Sequence, residues 1–259
     1  MTSTLTNYSL IARDLDRSEL AVRKQPAIQR ETDYYLAKIG SVKSVEEFVS
    51  DRRLLNYAMS AFGLADMSYA KAFVRKILIE GQDSQSAFVN KLADKRYLEF
   101  AKTFDFKNYG AATTAFGSVQ KGVVDKYVRQ SLESQAGAND EGVRLALYFR
   151  RVAPTLTNVT EILADKALNE IVKTALRLPD VFSLVNIDRQ IQTLEKRVDL
   201  GDFKNPAKLD QFIKRFTTLW DLDNGSPNEN SVASLFGQSS QRGLSDTLMA
   251  SIANITIRK

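Results

Sequence analysis

The sequence predicts an all-α protein: a compact multi-helix domain of about nine or ten helices with duplicated helical elements. Three observations carry that expectation. Apolar residues recur at three- and four-residue spacing through most of the 259 positions, the pattern of a helix with one buried face. Strand-like alternation flanked by hairpin turns is absent from the chain. One short pattern, an aspartate followed by Lys or Arg and then an apolar helical stripe, is written three times.

The pattern is clearest in "LADKRYLEFAKTF" (Leu92–Phe104) and "LADKALNEIVKTA" (Leu163–Ala175), and "SDRRLLNYAMSAFGL" (Ser50–Leu64) aligns with both. Asp51, Asp94 and Asp165 fill the same slot. An aspartate there suits a helix N-cap, because its carboxylate accepts a first-turn N–H and favours the positive end of the helix. The stripes that follow are Leu54, Tyr57, Ala58, Ala61 and Phe62; then Tyr97, Phe100, Ala101 and Phe104; then Leu168, Ile171, Val172 and Ala175. The three aspartates therefore read as structural helix caps. A calcium loop needs several acids at alternating positions, and each copy offers one.

The remaining elements follow in chain order. Residues 1–25 read as a flexible or partly helical segment, with Tyr8, Ile11 and Leu15 at helical spacing. Residues 26–223 read as the helical domain, with a possible division into two lobes near 107–117, where "KNYGAATTAFG" is looser. "MSYAKAFVRKILIEG" is helical and stops at Gly81. "SVQKGVVDKYVRQSLESQAG" is helical with Gly137 as its stop, and "NDEGVRLALYFRRVAPT" begins with acids and ends at Pro154. The helix carrying the third copy ends at Pro179. Ile191, Leu194 and Val198 mark one further amphipathic helix, and Leu209, Phe212, Ile213 and Phe216 mark the next. The three aspartates are unevenly spaced, which argues against a strict solenoid. Residues 224–243, opening with "NGSPNENS", read as a linker. Residues 244–259 read as an amphipathic C-terminal helix whose Leu244, Leu248, Ile252 and Ile255 either cover their own domain or bind a partner.

Composition narrows the chemistry. The chain has no cysteine and no histidine, so disulfides, thiolate nucleophiles, His-based triads and His or Cys metal ligands are excluded. The expectation is a non-enzyme with no catalytic residue, no cofactor and no metal. No apolar run reaches the roughly 18 residues a membrane span needs. The polar N-terminus lacks a secretory pattern, so the expected location is cytoplasmic, or outside the cell by a route that needs no cleaved signal. The net charge of +5 sits in the first half but is interspersed with acids. Nucleic acid is therefore not an expected partner, nor is a small-molecule substrate. A nucleic-acid- or phosphate-binding regulator is one alternative, and it predicts salt-dependent binding. An enzyme using carboxylates or lysine is the other, and it lacks a clustered constellation in the sequence.

"DRRLLNYAMSAFGL", "SAFVNKLADKRYLEFAKTFDF", "VRLALYFRRVAP", "ILADKALNEIVKTALRLP" and "NIDRQIQTLEKRVDLGDF" together resemble an uncharacterised bacterial all-helical family of unknown function. Members of that family are encoded in flagellar gene clusters. The resemblance spans about residues 30 to 222 and supplies no catalytic residue. It implies a context of motility, with flagellar or other bacterial proteins as partners and, as the alternative to a cytoplasmic location, flagellum association by signal-independent export.

Overall fold

Capping side chains divide the chain into helices from its first described residues. The structure, a computed structural model, describes residues 3–224. Ser3 accepts the N–H of Thr6 and opens α1 (Thr4–Arg13); Asp14 accepts the N–H of Arg17 and opens α2 (Leu15–Arg23). Residues expected to be flexible or partly helical are thus two helices. Pro26 at the first position opens α3 (Pro26–Ile39). Then come α4 (Val45–Ser50), α5 (Arg52–Ala61), α6 (Lys71–Glu80), α7 (Arg96–Thr103), α8 (Phe106–Tyr109) and the long α9 (Lys121–Asn139). The second half holds α10 (Glu141–Val152), α11 (Val159–Ala164), α12 (Lys166–Leu176), α13 (Ile187–Arg197), α14 (Leu200–Phe203) and α15 (Pro206–Asn224).

The protein is all-helical, with no strand among the described residues. The fifteen α-helices of the described residues, joined by five short 3-10 segments, exceed the expected nine or ten. Most of the excess lies in α4, α8, α11 and α14, each only four to six residues long. A helix of barely one turn cannot display a repeat of 3.6 residues, so periodicity passes over it. Gly137 does not stop α9, which runs on to Asn139.

Contacts divide the chain into a compact unit, Met1–Leu219, and a second unit, Trp220–Lys259. Of the second unit only residues 220–224 are described, as the last turn of α15. The expected linker beyond Asn224, and with it Leu244, Leu248, Ile252 and Ile255, lies outside the described residues.

Within the first unit α9 is the organising element. It packs against α2, α5 and α10, and α10 in turn packs against α1 and α12. Val123, Val124, Val128 and Leu132 supply its buried stripe. Phe48, Phe62, Phe100 and Phe104 form an aromatic cluster with ring centroids 4.7–6.3 Å apart. Each such ring fully buried contributes about 1.5–3 kcal/mol. Phe149, Phe203 and Phe212 form a second aromatic group in the later helices.

One arrangement recurs. In α3–α4–α5, Ser44 caps α4 on the N–H of Glu47, and Asp51 caps α5 on the N–H of Leu54. In α10–α11–α12, Asn158 caps α11 on Glu161, and Asp165 caps α12 on Ala167 and Leu168. Tyr34 donates to Asp51 and Tyr148 donates to Asp165, each across a separation of 17 residues. Both third helices end in the same way. Leu64 N–H bonds the carbonyl of Met59 across the left-handed Gly63, and Leu178 N–H bonds that of Lys173 across the left-handed Arg177.

Candidate functional site

The three aspartates show what their slot does. The inner oxygen of Asp51 accepts the Leu54 N–H at 2.9 Å, and its outer oxygen accepts the Tyr34 hydroxyl at 2.7 Å. Burial works to raise the Asp51 carboxyl, but the Leu54 amide, the Tyr34 hydroxyl and the charge of Lys38 outweigh it and hold it below the usual range. Asp165 is bound in the same way by Ala167, Leu168 and Tyr148. The Tyr148 phenol is pushed well up, first by burial and then by the Asp165 carboxylate.

Asp94 departs from the expected cap. The N-cap of α7 is Lys95, which makes no side-chain cap bond. Asp94 instead accepts the N–H of Arg96 at 3.0 Å and is gripped by the Arg96 guanidinium at 2.7–3.1 Å. The physical reason is local: no tyrosine takes the outer oxygen here, and Arg96 stands two residues ahead to take it. The same guanidinium donates to the carbonyl of Gly63 at 2.7 Å, tying the start of α7 to the end of α5.

The most unusual electrostatic feature of the described residues is Glu133, on α9. Its side chain is 1% exposed. Arg129 Nε reaches it at 3.1 Å, and Arg151 grips both oxygens at 2.8 Å. Arg129 also donates to Glu19 on α2 at 3.0 Å, so the cluster joins α2, α9 and α10. The neighbouring Arg150 turns the other way, to the Tyr8 hydroxyl and Asp210. The two arginines of "YFRR" thus pair with the protein's own acids on different sides of α10. Each charge in the cluster has an internal counter-charge, which makes it a clasp between helices. No group of three or more metal-ligating acids occurs among the described residues, and no helix there is long and apolar enough to cross a membrane.

The outward surface carries a different feature. After Pro179 the chain makes a 3-10 turn, Asp180–Leu184, that exposes Val181 (60%) and Leu184 (86%), followed by Val185 (38%) and Ile187 (54%) at the start of α13. Phe182, 7% exposed, anchors the turn from behind. Gln190 donates its amide to the carbonyl of Val185 at 2.6 Å, and Asn186 caps α13 on the N–H of Asp188 at 2.8 Å. Four apolar side chains are therefore held outward on a well-bonded scaffold. Sequence reasoning placed partner contacts at Leu244, Leu248, Ile252 and Ile255 and passed over this ridge. "VFSLVNI" is a short apolar run without periodicity, and only the burial of Phe182 tells which way the others point.

An X-ray crystal structure of a protein from Agrobacterium tumefaciens, a structural-genomics target, is similar over 86% of this chain and 97% of its own length, with 45% sequence identity and a TM-score of 0.80. No curated protein matches the chain. The family described as "Protein of unknown function (DUF1217)" matches residues 61–209, the stretch that holds the Glu133 clasp and the exposed ridge, and the chain belongs to that family.

Proposed function

We propose that this chain is a non-enzymatic protein-interaction module of the bacterial flagellar system, acting in its assembly, structure or regulation. The observation that carries the interaction reading is the ridge of Val181, Leu184, Val185 and Ile187. Exposed apolar side chains gathered within seven residues of chain are costly in water, and on protein surfaces such clusters commonly mark contact with another protein. The internally balanced charges around Glu133 favour a scaffold over a catalyst. The flagellar context rests on the motif resemblance alone, which is an association and not a mechanism.

The test is capture from motile cells with the tagged full-length chain, a Val181→Ser/Leu184→Ser variant, and a version ending at Leu222. The reading expects a flagellar component to be retained by the full-length chain and lost from the ridge variant. The truncated version separately weighs the contribution of Leu244, Leu248, Ile252 and Ile255. Intact swimming after gene deletion, with no flagellar component captured, would end the proposal.

A further inference from the structure

We propose that the depression between the outer edge of α5 and the middle of α9 binds a small aromatic anion, a ligand with a planar ring and an attached phosphate or carboxylate. The depression measures about 380 Å3, within the range of small-molecule sites. It does not share residues with the apolar ridge, and the inference stands independently of the interaction reading.

The polar wall is built on α5. Arg52, Asn56 and Ser60 all line the depression and stand one helical turn apart, so they share an edge of the helix. Among the described residues none of the three side chains has a hydrogen bond or ion pair. Arg53 and Glu31 also line the site, but they are committed to each other. Arg53 Nε and Nη2 reach the two carboxylate oxygens of Glu31 at 2.9 and 3.1 Å, and its guanidinium lies 4.0 Å from the ring centre of Tyr34. That pair cancels, and the positive charge of Arg52 remains over for a ligand. A guanidinium fork with a nearby amide and hydroxyl matches the oxygens of a phosphate or carboxylate.

The other lining is aromatic. Tyr35, Tyr57 and Tyr127 form a continuous stack, with ring centroids 4.5 and 3.9 Å apart. Tyr57 and Tyr127 line the depression. The stack is held in place at its inner end, where the Tyr35 hydroxyl donates to the carbonyl of Val119 at 2.7 Å, and in its middle, where the hydroxyls of Tyr57 and Thr32 lie 2.9 Å apart. Tyr57 is enclosed between the rings of Tyr35 and Tyr127, so a planar ligand ring meets the half-buried Tyr127, where it gains stacking and apolar burial irrespective of its identity. The geometry thus asks for two things in one ligand: a flat ring for Tyr127 and an anion for Arg52.

The experiment is titration of the full-length chain, by calorimetry and by amide chemical shifts, with adenosine 5′-monophosphate, 4-hydroxybenzoate and adenosine. The first two probes separate a phosphate source from a carboxylate source; the third carries a ring without the anion. Saturable binding of at least one anionic probe is expected, with shifts at Asn56 and Ser60. Arg52→Gln is expected to weaken it about tenfold or more. Because Arg52 has no partner among the described residues, that variant keeps its helix content and melting temperature, and Asn56→Asp, which sets a like charge beside the anion, weakens binding as well. Failure of both anionic probes to saturate overturns the proposal. So does equal binding by Arg52→Gln, or adenosine binding as tightly as its monophosphate.

Discussion

Replacing Glu133 by alanine removes a buried carboxylate that Arg129 and Arg151 share. Loss of one partner from a buried ion pair costs about 3–5 kcal/mol, because the remaining charge stays desolvated without compensation. Two observations place this site at the lower end. Arg129 keeps Glu19 at 3.0 Å, and the Arg151 side chain is 40% exposed and open to water. A loss of about 3 kcal/mol follows, which for a domain of this size corresponds to a fall of about 6–12 °C in melting temperature. Urea and thermal unfolding followed by far-ultraviolet circular dichroism measure it directly. Adding Arg151→Met to Glu133→Ala is expected to cost less than the sum of the single changes, since the second substitution removes a charge that the first left stranded. The effect should also be nearly independent of salt, unlike that of a surface pair. A Glu133→Ala protein within about 1 kcal/mol of the parent, or strict additivity in the double variant, would refute the view of Glu133 as the clasp between α9 and α10.

Other consequences are equally open to measurement. Asp51→Asn removes a carboxyl whose folded value lies below the ordinary one. The parent's advantage is therefore full above about pH 4 and shrinks as pH falls through the depressed value; urea titrations at several pH values read this out, and a gap that widens in acid contradicts it. Burial pushes the phenols of Tyr35, Tyr57 and Tyr148 upward, with the Asp165 carboxylate adding to the effect at Tyr148. Their contribution is intact below about pH 10 and lost above it, so tyrosinate absorbance should rise together with loss of helix on alkaline titration. Val181→Ser and Leu184→Ser should change stability by no more than about 0.5 kcal/mol, because neither side chain is buried; a larger loss would mean that the ridge is part of the core.

Much of the fold was legible because its long helices write their burial into the sequence. Leu168, Ile171, Val172 and Ala175 are all buried in α12, as their spacing requires. The short helices were not legible by period, yet two carried a different signal. Ser44 with Glu47, and Asn158 with Glu161, have the three-residue offset of a capping box, and both caps form. The polar clasp was hidden for a physical reason. Glu133 sits among polar neighbours in "SLESQAG", and nothing local marks it as the acid that faces inward; its burial is decided by α10, which brings Arg151 over it. Asp94 looked equivalent to Asp51 and Asp165 because a sequence alignment records the slot. It does not record that the outer oxygen meets Tyr34 and Tyr148 in two copies and Arg96 in the third.

Crosslinking in living, swimming cells tests the proposal that the ridge after Pro179 meets a flagellar protein. A photo-reactive amino acid would replace Leu184 in the full-length chain, with the same group at exposed Lys91 as the control. The expected result is an adduct with a flagellar component from position 184 that is absent from position 91. No flagellar adduct from position 184, or the same set of adducts from both positions, would contradict it.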